Sequence, residues 1–516
     1  MRRSLIFISL SIALVVLVAS VALVQLRQQP GLNVLLLTIE STRFDAISKQ
    51  NTPFLWRKAK TGHQFLSHRT ASAWTGSNIV SILTGLSTFR HGVHSRDVSV
   101  PASWRLPLET LKEQGWDVGG LQSFMLIDGF QNLGPTHTPG ERAQTWMATR
   151  RLSQTPFFLW RHYLDTHLPY NPPGAPAIPS PDSPEAIKRL NLIKTLPAIP
   201  AKAATFQASD LPVIRALYDA QFQVFDTWFQ SLWAFLEKSG LLQNTILLLT
   251  TDHGEELLER GNVGHASTTR AGHLHEEIAH IPLIIWTPPG LTSSPPFSTT
   301  TAVSAHTDIM PTIFALLGVE PVNKFEGVNL FDPEFGAKSG TQNKNVWMGL
   351  TSKAGFAEEN PGAIRDFVAA IKQGDDKVQL HLRDGAIIAS ELYDLRNDPA
   401  ERHNLALLQP ERMAKLRDRL MRQVLTMRIA KPIEPNQQTS AAPDAPPEWI
   451  FPAASGVLTY DALPVPLTLK WRGARDGDFI IQYQAGTGIS AVKGEMNVSG
   501  NSRDFGRLSR HYWDEY

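Results

Sequence analysis

The chain has 516 residues, 42% hydrophobic and 19% charged, with 49 Lys and Arg against 48 Asp and Glu. This composition excludes a disordered or coiled-coil protein, and the balanced charge argues against a dedicated nucleic-acid binder. With no cysteine, disulfides, zinc–thiolate sites, iron–sulfur clusters and thiol nucleophiles are excluded too.

Arg2 and Arg3 precede Leu5 to Val24, a run without charge. About 20 apolar residues span a bilayer as a helix. Residues 1–30 are therefore expected to form an uncleaved single-pass signal anchor in the inner (cytoplasmic) membrane. The arginines would face the cytoplasm and the rest of the chain would be extracytoplasmic or periplasmic. Ser20-Val21-Ala22 is also a passable small-residue cleavage site, so a removed signal peptide is the alternative.

Asn33 to Ile39 is a continuous apolar run without alternation, as suits a parallel strand covered on both faces. It ends at Glu40. Ser72 to Gly85 reads as a loop entering a short helix, with Ile79, Val80, Ile82 and Leu83 as its buried face. Thr75 to Asn78 occupy the cap and first turn, where free N–H groups and the helix dipole make an anion site. A hydroxyl there acts either as an N-cap, the commoner use and the one the local pattern favours, or as a nucleophile. Leu108 to Gln114 reads as a helix stopped by Gly115.

Val118 to Leu121 reads as a weak strand and Phe157 to Tyr163 as a strong one running into Asp165-Thr166-His167. Ala175 to Pro212, rich in Pro and Ala, reads as a surface loop or a lid. Tyr218 to Leu236 has helical spacing, and Thr245 to Thr251 is another buried strand, ending at Asp252-His253. Alternating strands and helices imply an α/β domain with a mostly parallel sheet, in which ligands bind beyond the carboxyl ends of the strands. Glu40, His167, Asp252 and His253 all fall at or just after such ends. Each alone is as well explained as a loop polar group; gathered together they suit a metal site.

The expected organisation is a signal anchor (1–30), a catalytic domain (31–340), a smaller C-terminal α+β subdomain (341–431), a Pro/Ala-rich linker (432–450) and a small β-rich appendage (451–516).

Five stretches carry a resemblance to a known family. They are Asn33 to Asp45; Ser81 to Leu86 with Arg90 to Val93; Pro156 to Leu159 with Asp165 to Tyr170; Asn244 to Glu256 with Gly272 to Glu277 and Ile281 to Ile285; and Glu391 to Pro399 with His403-Asn-Leu405. In this order they resemble the sulfatase-like branch of the alkaline phosphatase superfamily, over roughly residues 31 to 410. The resemblance implies an alkaline-phosphatase-like fold and a metal bound by Glu40, Asp252, His253 and the nucleophile, which falls on Thr75. It places His167 and His273 at family histidine positions; as imidazoles titratable near neutrality both are expected to protonate the leaving oxygen, with His265 in reserve. Asp45 reads as structural and Asp308 as a helix cap.

The chain also departs from that family. A conventional sulfatase carries Cys or Ser, then x-Pro-x-Arg, and oxidises the first residue to formylglycine. Here the stretch is Thr75-Gly-Ser-Asn-Ile79, which cannot yield that aldehyde. The family's Lys and His after the fourth strand are replaced by Gln122 to Asp128. The pattern is similar to Thr-nucleophile relatives, including membrane-anchored phosphoglycerol and phosphoethanolamine transferases.

The expectation is thus a metal-dependent phosphoester hydrolase or phosphotransferase acting on an envelope phosphoester, lipid or glycan. One divalent ion is implied: zinc or manganese suits two carboxylates and an imidazole, while calcium or magnesium needs more oxygen ligands. A sulfuric ester hydrolase lacking formylglycine and an inactive binding protein of the same fold are the alternatives.

Overall fold

The computed structural model describes residues 31–94, 98, 100, 104–120, 142–176, 184–195, 206–266, 272–291, 298–335, 345–351, 366–425, 455–460, 467–473, 479–485 and 492–498. The chain divides into two units, residues 1–433 and 434–516.

In the first unit the strands are β1 (Asn33–Ile39), β2 (His63–Arg69), β3 (Asp117–Gly119), β4 (Phe157–Tyr163), β5 (Thr245–Thr251), β6 (Glu256–Leu257), β7 (Val263–Gly264), β8 (Leu283–Trp286), β9 (Thr299–Ala305), β10 (Asn345–Thr351), β11 (Asp366–Gln373), β12 (Asp376–Arg383) and β13 (Ala386–Asp394). The helices are α1 (Pro53–Ala59), α2 (Thr75–Thr84), α3 (Thr88–His91), α4 (Pro107–Glu113), α5 (Arg142–Ser153), α6 (Pro184–Thr195), α7 (Leu211–Lys238), α8 (Glu276–Ala279), α9 (Ile309–Leu317) and α10 (Pro410–Leu425).

The apolar runs at 33–39, 157–163 and 245–251 are β1, β4 and β5. They lie in a seven-stranded sheet of order β3-β4-β1-β5-β8-β2-β9. β3, β4, β1 and β5 run parallel, β8 pairs antiparallel with both neighbours, and β2 pairs parallel with β9. Such a sheet must be covered on both faces. One apolar cluster joins Val34, Leu36, Trp160, Ile246 and Leu248 to Ile79, Ile82 and Leu83 of α2. The other joins Leu35, Leu37, Leu247 and Leu249 to Phe222, Phe225 and Phe229 of α7. Alternate residues of each strand feed opposite layers, which is why the runs show no polar alternation.

Two local readings change. The 175–212 stretch contains α6, because Leu190 and Ile193, one helical turn apart, are buried and Arg189 pairs with Asp210. The helix beginning near Thr75 has Trp74, not Thr75, as its N-cap, with no side-chain cap bond. Gly85 ends it at φ 68°, a left-handed conformation that favours glycine.

β10 to β13 form an antiparallel sheet whose apolar face packs against Met413, Leu416 and Leu420 of α10 and against Phe89. The second unit contains an antiparallel sheet of order β14 (Ser455–Tyr460), β15 (Leu467–Gly473), β16 (Phe479–Ala485) and β17 (Val492–Val498). The apolar run Leu5 to Val24 lies outside the described residues, as do Gln122 to Asp128. Among the described residues, no helix is long and apolar enough to cross a membrane.

Candidate metal and catalytic centre

The parallel register pairs Ile39 of β1 with Thr251 of β5, and also with Tyr163 of β4. The next residues, Glu40 and Asp252, therefore leave the sheet side by side. Glu40 is anchored by its backbone: its N–H donates to the Tyr163 carbonyl at 2.9 Å, and its carbonyl accepts from Thr166 Oγ1 at 2.7 Å. Ser41 follows at φ 51°, a conformation uncommon outside glycine. That turn aims the Ser41 amide at Asp252 Oδ1, at 2.9 Å. Tyr218 holds it by donating to the Ser41 carbonyl at 2.7 Å.

α2 brings the hydroxyl. Thr75 Oγ1 lies 3.3 Å from Glu40 Oε1 and 3.3 Å from His253 Nε2. The N-cap expectation therefore fails for a physical reason: the hydroxyl faces into the site, away from its own helix. Trp74 folds over the first turn so tightly that a Cβ on Gly76 would lie 2.5 Å from its ring. Ser77, the other hydroxyl there, donates to the Val93 carbonyl at 2.5 Å.

His253 Nδ1 is 2.8 Å from the Gly254 carbonyl. A carbonyl only accepts, so Nδ1 carries the proton and, in the neutral ring, Nε2 presents a lone pair. That lone pair faces Thr75, Asp252 Oδ2 at 3.3 Å and Glu40 Oε1 at 3.7 Å. Asp252 Oδ2 is buried without a hydrogen-bond partner. Converging lone pairs around an orphaned, buried carboxylate oxygen are costly unless a cation joins them. The donor set thus fits a divalent ion, with Glu40, Thr75, Asp252 and His253 as its holders.

The electrostatics agree. Burial works to raise the Glu40 carboxyl, yet the His162 hydrogen bond and the charges of His162, His167 and His253 hold it well below the ordinary carboxylate range. Asp252 moves the other way: burial and the adjacent Glu40 charge push it up. Burial disfavours the His253 imidazolium, but the Asp252 and Glu40 charges outweigh that and raise it. The same negative field attracts a proton or a metal ion.

Four residues of the strand-end loops, His167, Tyr170, Glu255 and His265, complete the wall. His265 Nδ1 is 2.8 Å from Glu255 Oε2, and Tyr170 donates to Glu255 Oε1 at 2.6 Å. Burial pushes the Glu255 carboxyl up to about 7. The His265 ring stands 4.2 Å from that of His253, and His167 packs edge-on against His265 at 5.1 Å. Donor atoms fall within 4.8 Å of one another in two overlapping sets: Glu40, His253 and His265; and Glu40, His162 and Asp252.

His273 is placed differently. Its Nε2 pairs with Glu256 at 2.9 Å and its ring packs on His275 at 5.0 Å, in a network that continues to Glu401. Asp45 pairs with Arg43 and Arg215, and Asp308 accepts from the Ala305 and Val328 amides, so both act structurally. Sequence reasoning passed over His162, which lies 2.7 Å from Glu40 Oε2. Its signal was visible: a histidine near the end of an otherwise apolar strand.

A family model described as "Sulfatase" matches residues 135–319. Arylsulfatase K of Xenopus laevis is 29% identical over 223 residues, 43% of this chain and 39% of that protein. A protein of Escherichia coli (strain K12), "Uncharacterized sulfatase YidJ", is 29% identical over 213 residues, 40% of this chain and 38% of its own length. The chain thus spans about two fifths of these curated relatives. Among solved structures, the phosphonate monoester hydrolase of Agrobacterium radiobacter superposes with a TM-score of 0.57 at 19% identity, covering 76% of this chain and 95% of that one. The 2-O GAG sulfatase BT1596 gives 0.56 at 16%, covering 76% and 92%. With the sheet order and the strand-end site, these likenesses come to one statement: residues 135–319 match the sulfatase family, and the described fold is the one that these solved structures share.

Proposed function

We propose that the protein is a metal-dependent phosphoester hydrolase or phosphotransferase that uses Thr75 as its nucleophile. The observation that carries this is the contact of Thr75 Oγ1 with both Glu40 Oε1 and His253 Nε2, each at 3.3 Å, in a buried group with Asp252. A divalent cation held by these residues supplies positive charge that lowers the hydroxyl pKa and offsets the repulsion of an anionic ester.

The chain's own residues do the rest. Thr75 Oγ1 faces Glu40 Oε1 and His253 Nε2, whose lone pairs would be taken by the ion, so the hydroxyl proton would leave to water. Oγ1 then attacks phosphorus in line, forming a phosphothreonine as the ester P–O bond breaks. Free amides at the start of α2 face the phosphoryl oxygens. His167 Nδ1 donates to the Leu168 carbonyl, so Nε2 is the free ring nitrogen, and from the imidazolium form it delivers a proton to the leaving oxygen and returns to the neutral ring. Water or an acceptor alcohol attacks the same phosphorus and returns Thr75. His265 lines the same wall, where burial and the neighbouring His253 and His167 hold it well below the ordinary imidazole range, and His273 is tied into the Glu256 network.

Thr75 cannot form formylglycine, which weighs against ordinary sulfate-ester chemistry. The uncharged run at residues 5–24 supports anchoring at the membrane with the catalytic unit extracytoplasmic, near envelope phosphoesters, lipids or glycans. The test is turnover of nitrophenyl phosphate, bis-nitrophenyl phosphate and nitrophenyl sulfate, with mass spectrometry of Thr75 after quenching. A phosphoryl adduct on Thr75 supports the reading. Sulfate turnover with no phosphoester turnover overturns it.

A further inference from the structure

Of the two overlapping donor sets, one contains His162, and its surroundings decide whether it is a ligand. β1 and β4 are parallel neighbours, and Thr38 is paired with His162. Thr38 and Glu40, two residues apart, point to the same face; so do Trp160 and His162. A continuous buried chain results. Trp160 Nε1 donates to Thr38 Oγ1 at 2.9 Å, Thr38 Oγ1 lies 2.7 Å from His162 Nδ1, and His162 Nε2 lies 2.7 Å from Glu40 Oε2. Trp160, Thr38 and His162 are wholly buried.

Proton bookkeeping along this chain leaves one answer. The indole N–H only donates, so Thr38 accepts from it and has its own proton for His162 Nδ1. With Nδ1 accepting from Thr38, the proton of the neutral ring sits on Nε2 and faces Glu40 Oε2 at 2.7 Å. Nε2 therefore carries a proton whether the ring is neutral or charged, and a protonated nitrogen does not coordinate a metal.

We infer that His162 is a positioning residue: clamped by Thr38, it donates to Glu40 Oε2 and thereby turns Oε1 alone toward Thr75 and the metal. This rests on the metal-site reading above. Glu40 then binds the cation through one oxygen, alongside Thr75, Asp252 and His253. Residues that orient a ligand without touching the metal typically alter affinity 10–100-fold.

The test uses the full-length chain, stripped with chelator and titrated with manganese(II) alone, reading stoichiometry and affinity. Wild type binds one ion. Glu40→Gln, which removes a ligand, loses stoichiometric binding. His162→Leu keeps one ion per chain at saturation with about 10–100-fold weaker affinity. His162→Gln, whose amide N–H reaches the same oxygen but is a poor ligand, restores most of that loss. Thr38→Val gives an intermediate weakening, and its core-compatible shape covers the case in which the leucine variant misfolds. Loss of stoichiometry in both His162 variants makes His162 a ligand and overturns the inference. So does unchanged affinity in His162→Leu, or failure of glutamine to rescue. A wild type that binds neither manganese nor zinc overturns the metal-site reading itself, a separate result.

Discussion

Ile39 faces Thr251 across β1 and β5, and from that single register Glu40 and Asp252 emerge as neighbours although 212 positions separate them. Two buried carboxylates side by side oppose folding unless a proton or a cation lies between them. The site is therefore electrostatically incomplete as protein alone.

Removing the attacking hydroxyl is the most direct probe. Thr75→Ala is expected to lower kcat by about 10³-fold or more, while Thr75→Ser, which keeps the oxygen, stays within about 10–100-fold of wild type. Steady-state kinetics on the better phosphoester substrate measure both, with circular dichroism confirming an unchanged fold.

Metal binding should appear as stability. A ligand at 100 times its Kd stabilises by about 2.7 kcal/mol, so adding manganese or zinc to chelator-treated protein should raise Tm by several degrees. Asp252→Asn keeps the Oδ1 bonds to the Ser41 and His253 amides but loses the orphaned oxygen's charge. Its Tm is expected to respond little to metal in differential scanning calorimetry.

Gly76 is required by contact. A methyl group there would meet the Trp74 ring at 2.5 Å, so Gly76→Ala must displace the indole or tilt the start of α2. Overpacking of this kind costs about 1–3 kcal/mol. A displacement near 1 Å of Thr75 should cost about 10²-fold in kcat with KM little changed.

The C-terminal subdomain is docked by buried charge. Lys377 Nζ lies 2.9 Å from Glu276 and 3.0 Å from Glu401, and Arg69 also pairs with Glu276 at 2.7 Å. Despite burial, Arg69 and Lys377 hold the Glu276 carboxyl far below its usual range, and Lys377 lowers that of Glu401; the two acids raise Lys377 against its own desolvation. The acids therefore add stability above the unfolded carboxylate pKa, about 4.3, which is lost as pH falls further. The lysine adds stability below about 10.4, which is lost as pH rises further. Lys377→Met leaves Glu276 with Arg69 and Glu401 with His275 but removes the cation that the two acids share, and is expected to cost up to about 3 kcal/mol at pH 7. Without the lysine, Glu401 loses the charge that lowers it most, so the variant should lose less stability than wild type as pH falls below about 4.3, as urea melts at each pH would show.

Much of this was legible in the chain before folding. Uninterrupted apolar runs identified β1, β4 and β5, because a strand covered on both faces has no polar side to alternate. The polar residues terminating those runs were then the ones delivered to the site. The cap-or-nucleophile question at Thr75 was not legible, since both uses begin from the same hydroxyl at the same helix start. Nor was the fate of His273, whose partner Glu256 sits on a two-residue strand without a pattern of its own.

The order of residues alone thus determined which strands are buried and which side chains stand at their ends, because hydrophobic periodicity is a local property. Only the tertiary structure decided which of those ends meet, which histidine nitrogen carries a proton and which oxygen is left without a partner. Those outcomes depend on inter-strand register and on contacts between segments more than a hundred residues apart, such as Thr38 with His162, and no local pattern encodes them.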